Sequence, residues 1–123
     1  MPIVEVEAVI AEGEILAAGL AAELADAAAD VFGTPPGTTW VKLRTLARSH
    51  YAEDHSHPGD TPLPVFVTVL RAQVPPVEAL GEEVAALTRT VAARLRRPPD
   101  NVHVLYAPAA AGRIAFGGKL RHR

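Results

Sequence analysis

The 123-residue chain contains no cysteine, and this absence excludes several kinds of chemistry at once. Without thiols there is no disulfide framework, no thiolate nucleophile and no cysteine-ligated metal site. A protein that uses none of these fits a reducing compartment.

The chain also lacks a large net charge, because its 12 basic and 14 acidic residues give a net charge of only -2. No basic field is present to attract nucleic acid. The first residues show no basic region followed by an apolar run, and no segment approaches the roughly 20 apolar residues of a membrane helix. We therefore expect a cytoplasmic protein that binds neither nucleic acid nor membranes.

Apolar residues make up 49% of the chain, which is enough to form a hydrophobic core. The length and this composition predict a single domain over residues 1–123. Alternation of apolar and polar residues with a period of two predicts four strands. They cover Pro2 to Ile10, Thr38 to Ala47, Val65 to Val74 and the segment "NVHVLYA" at 101–107.

Two helices are predicted between these strands. Apolar residues from Ile15 to Phe32 fall on one helical stripe of about five turns, which Gly33 and two prolines end. A second stripe runs from Val77 to Leu95 behind a pair of prolines. Glutamates precede arginines along it, in the order that complements the helix dipole.

The order strand, helix, strand therefore occurs twice, in halves of about residues 2–62 and 63–123. We expect an α+β fold in which two β-α-β halves form one four-stranded sheet with both helices on one face. The opposite face carries Trp40, Lys42, Arg44, His103 and Leu105. Because exposed apolar patches usually mark interfaces, this face should meet another subunit.

Two further motifs, a histidine-containing loop and a glycine-rich closing segment, are candidates for ligand sites. The loop "RSHYAEDHSHPGDTPLP" at 48–64 places His50, His55 and His57 among acidic residues, but no regular framework fixes their geometry. A solvated loop, which could cover an active-site mouth, is favoured over a metal site. The closing "GRIAFGGKL" lacks the spacing of a phosphate-binding loop.

The "MPIV" opening, the strand "PPDNVHVLY" and the closing "GRIAFGGKL", in this order and spacing, resemble the tautomerase superfamily. That superfamily includes 4-oxalocrotonate tautomerase and macrophage migration inhibitory factor. The resemblance covers essentially the whole chain. It implies a homotrimer whose three sheets enclose a barrel, with active sites near subunit boundaries, an amino-terminal proline as catalytic base or acid, and neither metal nor organic cofactor.

Carried over by position, the resemblance makes Pro2 the catalytic proline. Lys42 and Arg44 lie on the second strand, where relatives place a substrate-binding cation, and Lys42 is the better match. Arg71, at the end of the third strand, is a further candidate. His103 occupies a place that relatives fill with arginine or tyrosine, and Ile114 and Phe116 fall where the family supplies apolar walls. Arg113, beside Gly112, is a substrate contact or a surface cation on a turn.

The chemistry supports such a role for Pro2 once Met1 is removed. A free α-amino group has a pKa of about 7.7 to 8.0, and burial or a nearby cation lowers that value. The amine could then remove a proton beside a carbonyl at neutral pH. A small 2-oxo acid substrate also brings a carboxylate, so we expect Arg44 to hold it while Lys42 assists the enolate.

Other functions stay open at this point. The superfamily also includes hydrating dehalogenases, but those need a carboxylate that activates water, and no acidic residue follows Asp100. Decarboxylation is a further possibility of the same kind. A trimeric binding protein without turnover is the alternative outside catalysis.

Overall fold

A computed structural model of the chain describes residues 1–57 and 59–122, so that Pro58 of the predicted loop and Arg123 lie outside it. Within these ranges no helix is both long and apolar enough to cross a membrane. The regular elements are β1 (Ile3–Ile10), α1 (Leu20–Phe32), β2 (Trp40–Ala47), β3 (Val65–Leu70), α2 (Val77–Leu95), β4 (Val102–Tyr106), β5 (Ile114–Phe116) and β6 (Lys119–Arg121).

The first four strands form one mixed sheet in the order β2-β1-β3-β4. β1 is parallel to β2 and β3 is parallel to β4, as two β-α-β units require. The units join through the antiparallel pair β1 and β3, where Val6 lies opposite Val67. The predicted α+β fold, with a four-stranded sheet and two helices, is confirmed.

The hydrophobic core lies between one face of the sheet and the two helices. Alternate residues of β1 and β3 point into it, which is the period of two seen in the sequence. Its buried members are Val4, Val6, Ala8, Leu20, Leu24, Ala28, Val65, Val67, Val69, Leu87, Val91, Ala92, Leu95 and Val102. The other face has no helix against it, and Trp40 and Leu105 there are 51% and 67% exposed.

The first helix is shorter than predicted. It begins at Leu20 instead of near Ile15, because Gly19 has a left-handed backbone with φ of 86° that breaks the helical path. Ile15 is consequently exposed. Residue 14 has a different task, since the Glu14 carboxylate accepts a hydrogen bond from the Ala11 N–H and pairs with Arg97 at 3.0 Å.

The third strand is also shorter than predicted, ending at Leu70 and not at Val74. A strand needs a partner, and β1 starts at Ile3, the residue opposite Leu70. Beyond that point the Arg71 carbonyl accepts a hydrogen bond from the Ala110 N–H. The closing segment, predicted as glycine turns around an apolar stretch, forms the hairpin of β5 and β6.

The core makes a first prediction. Leu87 is completely buried between α2 and the sheet, so Leu87→Ala should lower the free energy of unfolding by about 2 to 5 kcal/mol through lost contacts and the cavity left behind. Urea unfolding at one fixed protein concentration measures it. Ile15→Ala is the matched control, since that side chain is exposed, and should change stability by less than about 0.5 kcal/mol. Equal effects of the two substitutions would contradict the assigned core.

Candidate active site

Pro2 lies just before β1, at the end of a central strand of the sheet, and is fully buried. Its carbonyl accepts a hydrogen bond of 3.0 Å from the Trp40 N–H, which ties the start of β1 to the start of β2. Continuing the β1/β3 register by one residue beyond Ile3 and Leu70 places Arg71 opposite Pro2. Residues opposite each other project from the same face, so Pro2 and Arg71 both lie on the helix side.

The amino terminus sits in an electropositive setting. Partial burial, then the positive charges of Arg121 and Arg71, hold the pKa of the Met1 amino group below its usual value. All three causes act against the protonated amine. Removal of Met1 would move the amine to Pro2, one residue further into the protein, where burial is greater.

Arg71 is held from two helices. Its Nη1 donates to Oε1 of Glu83 on α2, and its guanidinium carbon lies 5.3 Å from the ring centroid of Phe32 on α1. The Tyr106 hydroxyl donates to the second oxygen of Glu83. Burial, followed by this hydrogen bond, raises the pKa of Tyr106 well above its ordinary value, so the hydroxyl stays protonated and remains a donor.

Lys42 and Arg44, the predicted substrate-binding cations, project from the helix-free face. Lys42 Nζ lies 2.6 Å from the Glu5 carboxylate and Arg44 Nη2 lies 3.9 Å from it. The hydrogen bond from Lys42 and the charges of both cations lower the pKa of Glu5. Within one chain they are therefore on the opposite face from Pro2. Their predicted role would require a site shared with another subunit.

The other predicted residues divide between two regions. His103 lies on the helix-free face, where its ring centroid is 5.6 Å from that of Phe66. Phe116 of β5 contacts Trp40 edge to face at 5.4 Å, which places it at the Pro2 end of the sheet. Ile114 lies on the same short strand and is partly buried. Arg113 is exposed, and its Nη2 donates to the Ala109 carbonyl at 2.5 Å.

The histidine loop is separate from this group. His55 Nδ1 lies 3.0 Å from the Asp54 carboxylate, and both side chains are almost fully exposed. Among residues 1–57 and 59–122, no group of three or more His, Asp or Glu side chains lies close enough together to hold a metal ion.

A cavity lies beside this loop, at the end of β1 remote from Pro2. Its volume is about 940 Å³, and residues such as Ile10, Ala47 and Tyr51 line it. A large cavity is usually the first candidate for a ligand site. We place the candidate active site at the Pro2 end instead, because the terminal amine there has a lowered pKa and the positive charges of Arg121 and Arg71 act on it.

Three residues of this site were not predicted from the sequence. Glu83 follows Leu80 by three positions and precedes Leu87 by four, so it borders the apolar stripe of α2. A charge at that border was the available signal. Tyr106 packs on the core as the strand alternation predicted, but its hydroxyl partner could not be foreseen. Nothing in the sequence indicated that Arg121 would reach the amino terminus.

The chain thus consists of two β-α-β units that form one sheet, with Pro2 just before the first strand. No family model and no curated protein sequence matches the chain. Solved structures do. The Q0 fused 4-OT symmetric trimer superposes with a TM-score of 0.78 at 20% identity, over 98% of this chain and 95% of its own.

Two further solved structures give similar matches. Macrophage migration inhibitory factor from Trichinella spiralis has a TM-score of 0.72 at 13% identity, over 96% of this chain and 98% of its own. FG41 malonate semialdehyde decarboxylase inhibited by 3-bromopropiolate has a TM-score of 0.69 at 16% identity, over 94% and 88%. The resemblance stated from the sequence is confirmed at the level of the fold.

The electrostatics of the amino terminus make a second prediction. With Met1 removed, the Pro2 amine should titrate below the ordinary 7.7 to 8.0, and Arg121→Gln should raise its pKa because one cation is lost. A nitrogen NMR titration of proline-labelled protein measures both. Arg89→Gln is the control, since Arg89 is an exposed arginine of α2. A wild-type value at or above that of a free amine would refute the assignment.

Proposed function

We propose that the chain is a cofactor-independent tautomerase of the cytoplasm, which interconverts the enol and keto forms of small 2-oxo acids with Pro2 as general base and acid. The observation that carries the proposal is the buried Pro2 beside the end of β3, in a setting where burial and the charges of Arg121 and Arg71 lower the pKa of the terminal amine. The fold shared with the fused 4-OT and migration inhibitory factor structures supports it.

The proposed reaction is a proton transfer between two carbons or between oxygen and carbon. The neutral Pro2 amine accepts a proton from the substrate, and negative charge develops on the carbonyl oxygen. The protonated amine then returns the proton to the position that completes the tautomer. A lowered pKa favours both steps. The amine is unprotonated at neutral pH, and once protonated it gives up its proton readily.

Positive charge at the site would bind the substrate carboxylate and the developing enolate. Arginine binds a carboxylate with two parallel hydrogen bonds, and Arg71 is the arginine opposite Pro2. Arg121 adds a second cation near the amine, where it would stabilise the developing enolate. Phe116 would supply an apolar wall at the same end.

We also propose that the protein is a homotrimer. The helix-free face presents Trp40, Phe66 and Leu105 to solvent in the single chain, and such a patch usually covers an interface. The structures with the same fold include the fused 4-OT trimers. Assembly through this face would also bury Lys42 and Arg44, and Glu5 compensates one of these two charges.

Decarboxylation of a small 3-oxo acid is the second candidate. It is favoured by the likeness to malonate semialdehyde decarboxylase. It would also use the same groups as tautomerisation, namely a cation that binds the carboxylate and an acid that protonates the product carbanion. Release of carbon dioxide from malonate semialdehyde, with no ketonisation of enols, would select it over the tautomerase.

The function makes a third prediction. Intact mass should show Met1 absent, and Pro2→Ala should lower kcat/KM for ketonisation of phenylenolpyruvate and 2-hydroxymuconate by about 10²-fold or more, the usual contribution of a general base. Pro98→Ala, at an exposed proline after α2, should leave the rate unchanged. Retained Met1, or full activity in Pro2→Ala, would rule out the proposed mechanism.

The assembly makes a fourth prediction. Light scattering should give three times the chain mass of 13.0 kDa, and Leu105→Asp should dissociate the assembly because it places a charge in the apolar patch. Ile15→Asp is the control, since Ile15 is 90% exposed and lies before α1, away from this face. A stable wild-type monomer would exclude the trimer.

A further inference from the structure

Glu83 is an unusual residue for its position on α2. Its side chain is only 12% exposed, and it lies over the end of the sheet that holds Pro2. A carboxylate removed from water in this way is costly unless charged or hydrogen-bonding partners compensate it. Both of its oxygens are in fact occupied, one by Arg71 Nη1 and the other by the Tyr106 hydroxyl.

The two partners of Glu83 come from different strands. Arg71 follows β3 and Tyr106 ends β4, while Glu83 reaches them from the helix above. Tyr106 anchors the carboxylate, and the carboxylate in turn anchors the guanidinium. The Phe32 ring lies against the same guanidinium at 5.3 Å. Arg71 is therefore fixed from both helices, although a free arginine side chain has many rotamers.

The bonds leave part of Arg71 available. In the described part of the chain, only its Nη1 has a hydrogen-bond partner, and its Nε and Nη2 are not among the buried unpartnered atoms. These two nitrogens form one edge of the planar guanidinium, which suits the two oxygens of a carboxylate. The edge belongs to the residue opposite Pro2.

We propose that Glu83 is a positioning residue, which holds Arg71 so that its free Nε and Nη2 edge binds the carboxylate of a ligand beside Pro2. The inference rests on the proposed function for the location of the site. It is a statement about binding, however, and does not require that the bound ligand be turned over. Glu83 itself contacts no ligand.

The test is binding of phenylpyruvate and of its methyl ester, measured by calorimetry with protein from which Met1 has been removed. Glu83→Gln keeps the shape of the side chain but loses the charge that holds Arg71. It should raise the Kd for phenylpyruvate about tenfold or more and leave the Kd for the ester unchanged within about twofold. A general loss of structure would weaken both ligands.

Two further variants complete the comparison. In an Arg71→Ala background, Glu83→Gln should cause no additional loss of phenylpyruvate binding, because the residue that it positions is gone. Glu82→Gln is the matched control, since Glu82 is the exposed neighbour on the same helix, and it should bind both ligands like the wild type. If Glu83→Gln does not fold, Glu83→Asp replaces it, because it keeps the charge but shortens the reach to Arg71.

The outcomes separate this inference from the proposed function. Loss of acid binding in the Glu83 variant, in a protein that ketonises no enol, would uphold the positioning role and reject the tautomerase. Wild-type binding of phenylpyruvate by the Glu83 variant would overturn the inference whatever the activity. So would equal losses for acid and ester, or a wild-type protein that does not bind phenylpyruvate.

Discussion

The antiparallel pairing of β1 with β3 is the constraint on which the rest of the structure depends. It joins two β-α-β units that are each parallel within themselves. The start of β1 thereby lies beside the end of β3, and Pro2 comes to lie opposite Arg71. A slip of one residue would turn the apolar side of one of these strands away from the helices, so burial of Val4, Val6 and Val67 fixes the register.

The same sheet separates two sets of charges by its two faces. Glu5, Lys42 and Arg44 lie together on the helix-free face, largely exposed. Arg71 and Glu83 lie on the helix side, where their mutual attraction is less screened by water. Exposed ion pairs contribute little to stability, whereas a pair removed from solvent is demanding about geometry. The helix side is therefore where a fixed arrangement of charge is available for chemistry.

Much of the fold could be predicted because its signals are local. Alternation in β1 and the apolar stripe of α2 each need only a short window of sequence, and the proline pair before Val77 fixes the start of the helix. Boundaries that depend on distant partners were missed. β3 ends at Leu70 because β1 begins at Ile3, opposite Leu70, and the preceding Pro2 has no N–H to extend the ladder. α1 begins late because Gly19 adopts a left-handed backbone.

For the candidate site, Pro2 and Arg71 were among the candidates that the resemblance indicated from the sequence, Arg71 because relatives end the matching strand with a substrate-binding arginine. Tertiary structure alone decided which cations accompany the amine. Arg71 and Arg121 act on it, while Lys42 and Arg44 pair with Glu5 on the other face. The contacts of Glu83 with Arg71 and Tyr106 likewise join residues 12 and 23 positions apart. Local patterns set which side of an element is apolar, but only the packing of helices on the sheet brings such residues together.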